Sequence, residues 1–126
     1  MTRVLICDDD PMIREALREV LQATPDLEVV AVATNTDEAI LLAERHAPTV
    51  AILDIRMPGG GGPRAARELR LRFPELAILA FSAYGDTRAV DDMRRAGASG
   101  HLLKGVRNSE IVAAVRRLAG AEPPVG

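Results

Sequence analysis

Five polar residues in this chain stand at the ends of apolar runs. Asp8 and Asp9 follow Val4-Leu5-Ile6-Cys7, and Asp54 follows Val50-Ala51-Ile52-Leu53. Ser82 follows Ile78-Leu79-Ala80-Phe81, and Lys104 follows Leu102-Leu103. Three carboxylates, a hydroxyl and an ammonium gathered in one crevice make a site for a divalent cation and a phosphoryl group. Two like charges ~4 Å apart at an effective dielectric near 20 repel by about 4 kcal/mol. A hard cation such as Mg²⁺, which takes oxygen ligands and keeps several waters, offsets that cost. Asp9 and Asp54 suit direct coordination, and Asp8 suits coordination through water. No His or Cys cluster accompanies them, so zinc is disfavoured. An Asp54 oxygen is then available as a nucleophile toward a phosphoryl donor, giving an acyl phosphate. Mg²⁺ and Lys104 stabilise charge on the transferring group, and the Ser82 hydroxyl bonds a phosphoryl oxygen. Composition singles out Lys104 further: of 16 basic residues it is the one lysine, the rest being arginine.

Each residue alone has a plainer explanation. Asp favours turns and helix caps at strand ends, and Asp10 reads that way. Ser82 alone fits a hydroxyl bonded to backbone, and Lys104 alone fits a solvated rim charge. The combination across four strand ends is what carries the signal.

Something must bring these positions together, and the periodicity supplies it. Short apolar runs at residues 3–8, 27–33, 49–54, 77–82 and 100–104 read as buried parallel strands. Helical spacing follows each one. Asp10 caps the first helix with Pro11 at its first position. Asn35 or Thr36 caps the second, which ends near His46-Ala47-Pro48. Pro63 starts the third, which buries Ala66, Leu69 and Phe73 and stops at Pro74. Asp86 or Thr87 starts the fourth, with Gly97 as its left-handed C-terminal cap. Asn108 or Ser109 caps the last, with Ile111, Val112, Val115, Leu118 and Ala119 on one face. Five βα units in sequence predict a doubly wound, flavodoxin-like (βα)5 α/β fold. Of the two common strand orders, 2-1-3-4-5 suits five strands. Strands 1 and 3 are then neighbours, so the Asp8-Asp9 pair meets Asp54 in the crevice beyond the strand ends. Strands 4 and 5 add Ser82 and Lys104.

The totals bound the rest. The 126 residues make one domain, expected over residues 1–120, with the Pro/Gly-rich residues 121–126 as a tail or the start of a linker. The core is aliphatic: 48% of residues are hydrophobic and 2% aromatic. A net charge of −2 with scattered arginines argues against direct nucleic-acid binding. Arg94-Arg95 and Arg116-Arg117 read as solvated helix faces. The single Cys7 cannot form an internal disulfide and reads as a small buried hydrophobe. No apolar run approaches the ~18 residues of a membrane span, and Met1-Thr2-Arg3 leads directly into a strand. The expected location is the cytoplasm, away from membranes.

Four segments together closely resemble the receiver domain of bacterial two-component response regulators. They are Val4-Leu5-Ile6-Cys7-Asp8-Asp9-Asp10, Leu53-Asp54-Ile55-Arg56-Met57-Pro58, Phe81-Ser82-Ala83, and Gly97-Ala98-Ser99-Gly100-His101-Leu102-Leu103-Lys104. The resemblance covers residues 3–119, and its last segment is most similar to the NarL/FixJ branch. It implies Asp54 as phosphoacceptor, Asp8 and Asp9 as the acidic pair for Mg²⁺, Ser82 as switch hydroxyl and Lys104 as phosphate-binding lysine. It also implies that the backbone carbonyl of Arg56 completes the metal site. The implied donor is a phosphohistidine on a sensor histidine kinase. The implied role is regulatory, not that of an enzyme. The implied output is transcriptional, through a homodimer formed on activation or a C-terminal DNA-binding domain outside this chain.

Three features depart from the family pattern. Gly105 follows Lys104 where many relatives carry a proline. His101 takes the place of an aromatic that swings inward on activation. The glycine run from Gly59 to Gly62 predicts a mobile loop after Asp54. Arg56 and Tyr84 occupy positions that tune acyl-phosphate hydrolysis in the family, so Tyr84→Ala is expected to speed dephosphorylation. Rival readings fare worse. A haloacid-dehalogenase-like phosphatase needs a second Asp where Arg56 stands, and a flavin module needs a phosphate-cradling loop after the first strand. A scaffold that has lost phosphorylation is disfavoured because all five site residues are present.

Overall fold

The computed structural model describes residues 1–83 and 87–120. Five strands alternate with five helices: β1 Thr2–Cys7, α1 Pro11–Gln22, β2 Leu27–Ala33, α2 Thr36–His46 and β3 Val50–Asp54 come first. They are followed by α3 Gly61–Arg72, β4 Ala77–Ser82, α4 Thr87–Ala96, β5 Gly100–Leu103 and α5 Asn108–Ala119. The strands form one parallel sheet in the order β2-β1-β3-β4-β5, as the sequence pattern predicts.

Alternation along the buried strands divides the core between the two faces. Leu5, Cys7, Ala51, Leu53, Ile78 and Ala80 point to one side, where α2, α3 and α4 cover them. Those helices contribute mainly alanines, Ala39, Ala43, Ala65, Ala66 and Ala96, which let helix backbones approach the sheet and one another. Val4, Ile6, Val50, Ile52, Leu79 and Phe81 face α1 and α5, which answer with Leu17, Leu21, Ile111 and Val115. Truncating a fully buried leucine such as Leu53 or Leu69 in such a core costs about 2–5 kcal/mol.

Local signals explain most helix ends. The Asp10 carboxylate accepts the Met12 N–H at 2.9 Å, with Pro11 at the first helical position. Asn35 Oδ1 accepts the Glu38 N–H at 2.9 Å, while Glu38 Oε1 accepts the Thr34 N–H at 2.7 Å, a variant of the capping box. Gly97, at φ +115°, closes α4 in a Schellman pattern: its N–H donates to Arg94 O and that of Ala98 to Met93 O.

Three expectations need correction. α3 starts at Gly61, not Pro63, because the Gly62 N–H donates to Ile55 O at 2.8 Å and draws two glycines into the first turn. Phe73 falls just past the end of α3, half-buried at the edge of the core, because Pro74 ends the helix. α5 takes Arg107 at its N-cap with no side-chain bond, one residue before the expected cap. Val106 and Ile111 pack into one apolar cluster across that end, a hydrophobic staple that sets the start in place of a polar cap. Asp86 and the tail beyond residue 120 lie outside the described residues.

Candidate functional site

The parallel sheet delivers the five polar residues to one end. β1 and β3 are hydrogen-bonded neighbours, so Asp8, just past β1, lies beside Asp54 at the end of β3. One carboxylate oxygen from each of Asp8, Asp9 and Asp54 lies within 4.8 Å of the others. Asp8 and Asp54 are buried and Asp9 is exposed, so the cluster opens to solvent along Asp9. β4 brings Ser82 alongside, and the Lys104 N–H donates to Ser82 O at 2.7 Å, which places the lysine at the same rim.

Lys104 Nζ spans the two buried carboxylates. It donates to Asp54 Oδ1 at 3.1 Å and lies 3.2 Å from Asp8 Oδ2, an ion pair without the angle of a hydrogen bond. Burial alone lowers the ammonium pKa, but the bond to Asp54 and the charges of Asp54 and Asp8 outweigh it and hold Lys104 above its usual range. Asp8 shifts upward. Burial is the main cause and the Asp54 charge adds to it, against the Asp10 N–H donated to Asp8 Oδ1 at 2.9 Å and the Lys104 charge. One ammonium does not fully compensate the cluster.

Two buried oxygens lack a hydrogen-bond partner among the described residues: Asp8 Oδ2 and Ser82 Oγ. Buried polar atoms are normally satisfied, so a hydroxyl with no partner and a carboxylate oxygen held only by the Lys104 ion pair suit a crevice that takes a ligand. The acidic trio supplies hard oxygen donors for a cation, and the hydroxyl and ammonium supply donors for an anion. This donor set fits a divalent metal beside a phosphoryl group.

Residues outside the five-residue set hold the frame, through contacts the sequence did not indicate. Arg14 Nη1 donates to Asp8 O at 2.9 Å, tying α1 to the acidic turn. Thr36, fully buried at the start of α2, donates its N–H to Pro58 O at 3.1 Å. Arg56 donates its backbone N–H to Asp54 Oδ1 at 3.3 Å, which fixes the start of the β3–α3 loop. Arg14 sits one turn into a helix and Thr36 beside a cap, positions where charge or capping explained them without long-range contacts.

A protein-family model described as the response regulator receiver domain matches residues 4–116. The chain belongs to that receiver domain family. Among curated relatives, the DNA-binding transcriptional activator DevR/DosR of Mycobacterium tuberculosis is 36% identical over 92% of this chain and 54% of its own length. The nitrate/nitrite response regulator NarL of Escherichia coli is 32% identical over 94% of this chain and 55% of its own. The receiver thus spans about half the length of the curated relatives it matches. The solved signal receiver domain of the NarL response regulator from Mycobacterium tuberculosis superimposes with a TM-score of 0.90 at 35% identity, covering 96% of this chain and 98% of that one. These likenesses agree with the NarL/FixJ-like branch.

The departures from the family pattern now have geometry. The Lys104–Gly105 peptide is trans, and Gly105 turns the chain at φ +99°, a conformation open to glycine. His101 is exposed on β5, beside a cavity of about 200 Å³ lined by Val90, Met93, Arg94 and Ser99. The glycine run answers to steric need. Gly59, Gly60 and Gly61 have φ of +93°, +98° and +80°, and a Cβ on Gly62 would stand 2.8 Å from Asp54 O. Burial pushes the Cys7 thiol far up, so it stays protonated and packs as an apolar group. Tyr84 lies outside the described residues. Among the described residues no helix is long and apolar enough to cross a membrane.

Proposed function

We propose that this receiver accepts a phosphoryl group on Asp54 from a phosphohistidine of a sensor histidine kinase. The observation that carries the reading is the Lys104 ammonium between Asp8 and Asp54, with a buried Ser82 hydroxyl at the same rim that has no hydrogen-bond partner among the described residues. Asp8, Asp9, Asp54 and the Arg56 carbonyl would hold Mg²⁺. When bound, Mg²⁺ neutralises charge on the carboxylates and on the phosphoryl oxygens. An Asp54 carboxylate oxygen attacks phosphorus in line as the P–N bond breaks, and its electron pair leaves with the imidazole. Lys104 Nζ then donates to one phosphoryl oxygen, and the Ser82 hydroxyl to another.

The switch follows from the same donors. Ser82 moves toward the new phosphoryl oxygens, and β4 carries that shift to the α4–β5–α5 face, where His101 is exposed. Phosphorylation selects a second arrangement of that face, which forms a homodimer or acts on a C-terminal output domain. The relatives' names support transcription as the output. Residues 1–120 act as the receiver and residues 121–126 as a tail or linker, in a cytoplasmic protein.

Intact mass after incubation with Mg²⁺ and acetyl phosphate tests the reading. One added phosphoryl group on wild type and none on Asp54→Asn is the expected result. No addition to either protein would favour a protein-binding scaffold.

A further inference from the structure

The turn between β3 and α3 has an anchor that the chemistry of Asp54 does not require. Arg64, in the first turns of α3, reaches back over the glycine run. Its Nη1 donates to Gly59 O at 2.7 Å and pairs with Asp37 Oδ1 of α2 at 3.3 Å. Its stem lies against the turn: a Cβ on Gly60 would fall 2.6 Å from Arg64 Cδ and 3.1 Å from Arg64 Cβ. Thr36 holds the same turn from beneath, with its N–H on Pro58 O at 3.1 Å and its hydroxyl on Gly61 O at 3.4 Å. Three carbonyls of the segment, those of Pro58, Gly59 and Gly61, thus each have a donor from α2 or α3.

The physical need is clear. Three successive glycines at positive φ lose more conformational entropy on ordering than any other residues. Nothing in their own side chains holds them. The segment begins at Arg56, whose carbonyl is the proposed fourth cation ligand, and Met57, which is buried. A turn that samples many conformers would present that carbonyl only part of the time, and affinity falls by the fraction lost.

We propose that Arg64, oriented by Asp37, is a positioning residue: it latches the glycine turn so that the Arg56 carbonyl is held ready at the cation site. The proposal rests on the phosphoacceptor reading for its consequence, though not for the latch itself. Arg64 touches neither the cation nor the phosphoryl group. Gly60 and Arg64 form one unit, because only glycine leaves room for the arginine stem.

The test uses the full chain as wild type, Arg64→Ala, Arg64→Lys and Asp37→Asn. Amide exchange of Thr36 and Gly62, the two N–H groups bonded across the turn, is read by NMR without metal. Mg²⁺ affinity is read by calorimetry. Arg64→Ala is expected to speed exchange at Thr36 and Gly62 and to weaken Mg²⁺ binding about tenfold, the low end for a partner that orients a metal ligand. The metal-free melting temperature should move little, because the Arg64–Asp37 pair is exposed. Arg64→Lys should recover part of both effects and Asp37→Asn should lose part. Acetyl phosphate labelling of Arg64→Ala should slow at limiting Mg²⁺ and recover with excess. Unchanged exchange overturns the latch, and faster exchange with unchanged Mg²⁺ affinity overturns the positioning role. If wild type binds no Mg²⁺, the cation reading fails, while the exchange measurement still decides whether Arg64 orders the turn.

Discussion

The two ends of the sheet handle charge in opposite ways. At the N-terminal end, polar groups reach across elements and find partners. Arg116 of α5 holds Asp26 through two bonds of 3.0 and 2.6 Å, joining residues far apart in the chain. Arg3 donates to His46 O, and Arg70 bridges Pro74 O at 2.7 Å and Gly97 O at 2.8 Å. At the C-terminal end, three carboxylates crowd together, two of them share one ammonium, and two buried oxygens have no hydrogen bond among the described residues. The first arrangement stabilises the fold as it stands. The second leaves charge and hydrogen-bonding capacity unmet by the described residues, as a site fit for a ligand does and a structural contact does not.

The comparison predicts that ligand and mutation act with opposite sign at the two ends. The largest effect is expected from Mg²⁺. It should stabilise the fold by about 2.7 kcal/mol at a hundredfold excess over its dissociation constant. Asp9→Asn should remove most of that gain while raising the stability of the metal-free protein. A metal-free Asp9→Asn protein that unfolds at lower urea than wild type would contradict the picture of crowded carboxylates.

Next comes Lys104→Ala, which leaves Asp8 and Asp54 uncompensated. A fully buried pair that loses one partner costs about 3–5 kcal/mol. The Lys104 side chain is 24% exposed, so about 2 kcal/mol is expected here. Urea titrations with chelator and with Mg²⁺ should show the loss in the first and little of it in the second.

The pH dependence has a definite sign. Asp8 has a folded pKa above its ordinary value, so its contribution favours the fold below about pH 3.9 and is lost as pH rises through the folded value. The metal-free protein should therefore lose stability across that window, and Asp8→Asn should flatten the profile. At the other end Asp26 is held below the ordinary range, chiefly by its bond to Arg116. Its contribution is present above about pH 3.9 and is lost as pH falls through the lower folded value. Asp26→Asn should give the smallest change of the set, and it should shrink with added salt because the pair is exposed. A stability profile with equal slopes in wild type, Asp8→Asn and Asp26→Asn would erase the contrast between the ends.

Periodicity and end signals carried much of the architecture. The second and fourth strands begin and end where alternation of apolar runs and breakers places them, at Leu27–Ala33 and Ala77–Ser82. Asp10 and Pro11 mark α1 because capping and a fixed φ are local properties. The start of α5 was less legible, since a staple between Val106 and Ile111 depends on packing against the sheet. The glycine run carried a further, conformational meaning that depends on the same long-range contacts. Composition alone shows four small residues, and only the folded chain shows that each meets a neighbour from another element or turns through a positive φ.

What the sequence determined by itself is the set of five polar residues and their common end of the sheet. Strand polarity and chain order place every strand end on one edge, and the residue following an apolar run is read directly from the chain. Only the tertiary structure decided which groups touch. Lys104 bridges Asp8 and Asp54 rather than solvent, Ser82 Oγ lacks a hydrogen-bond partner among the described residues, and Arg64 lies over Gly60. Such contacts depend on side-chain reach and burial across elements distant in sequence, and no local propensity encodes either.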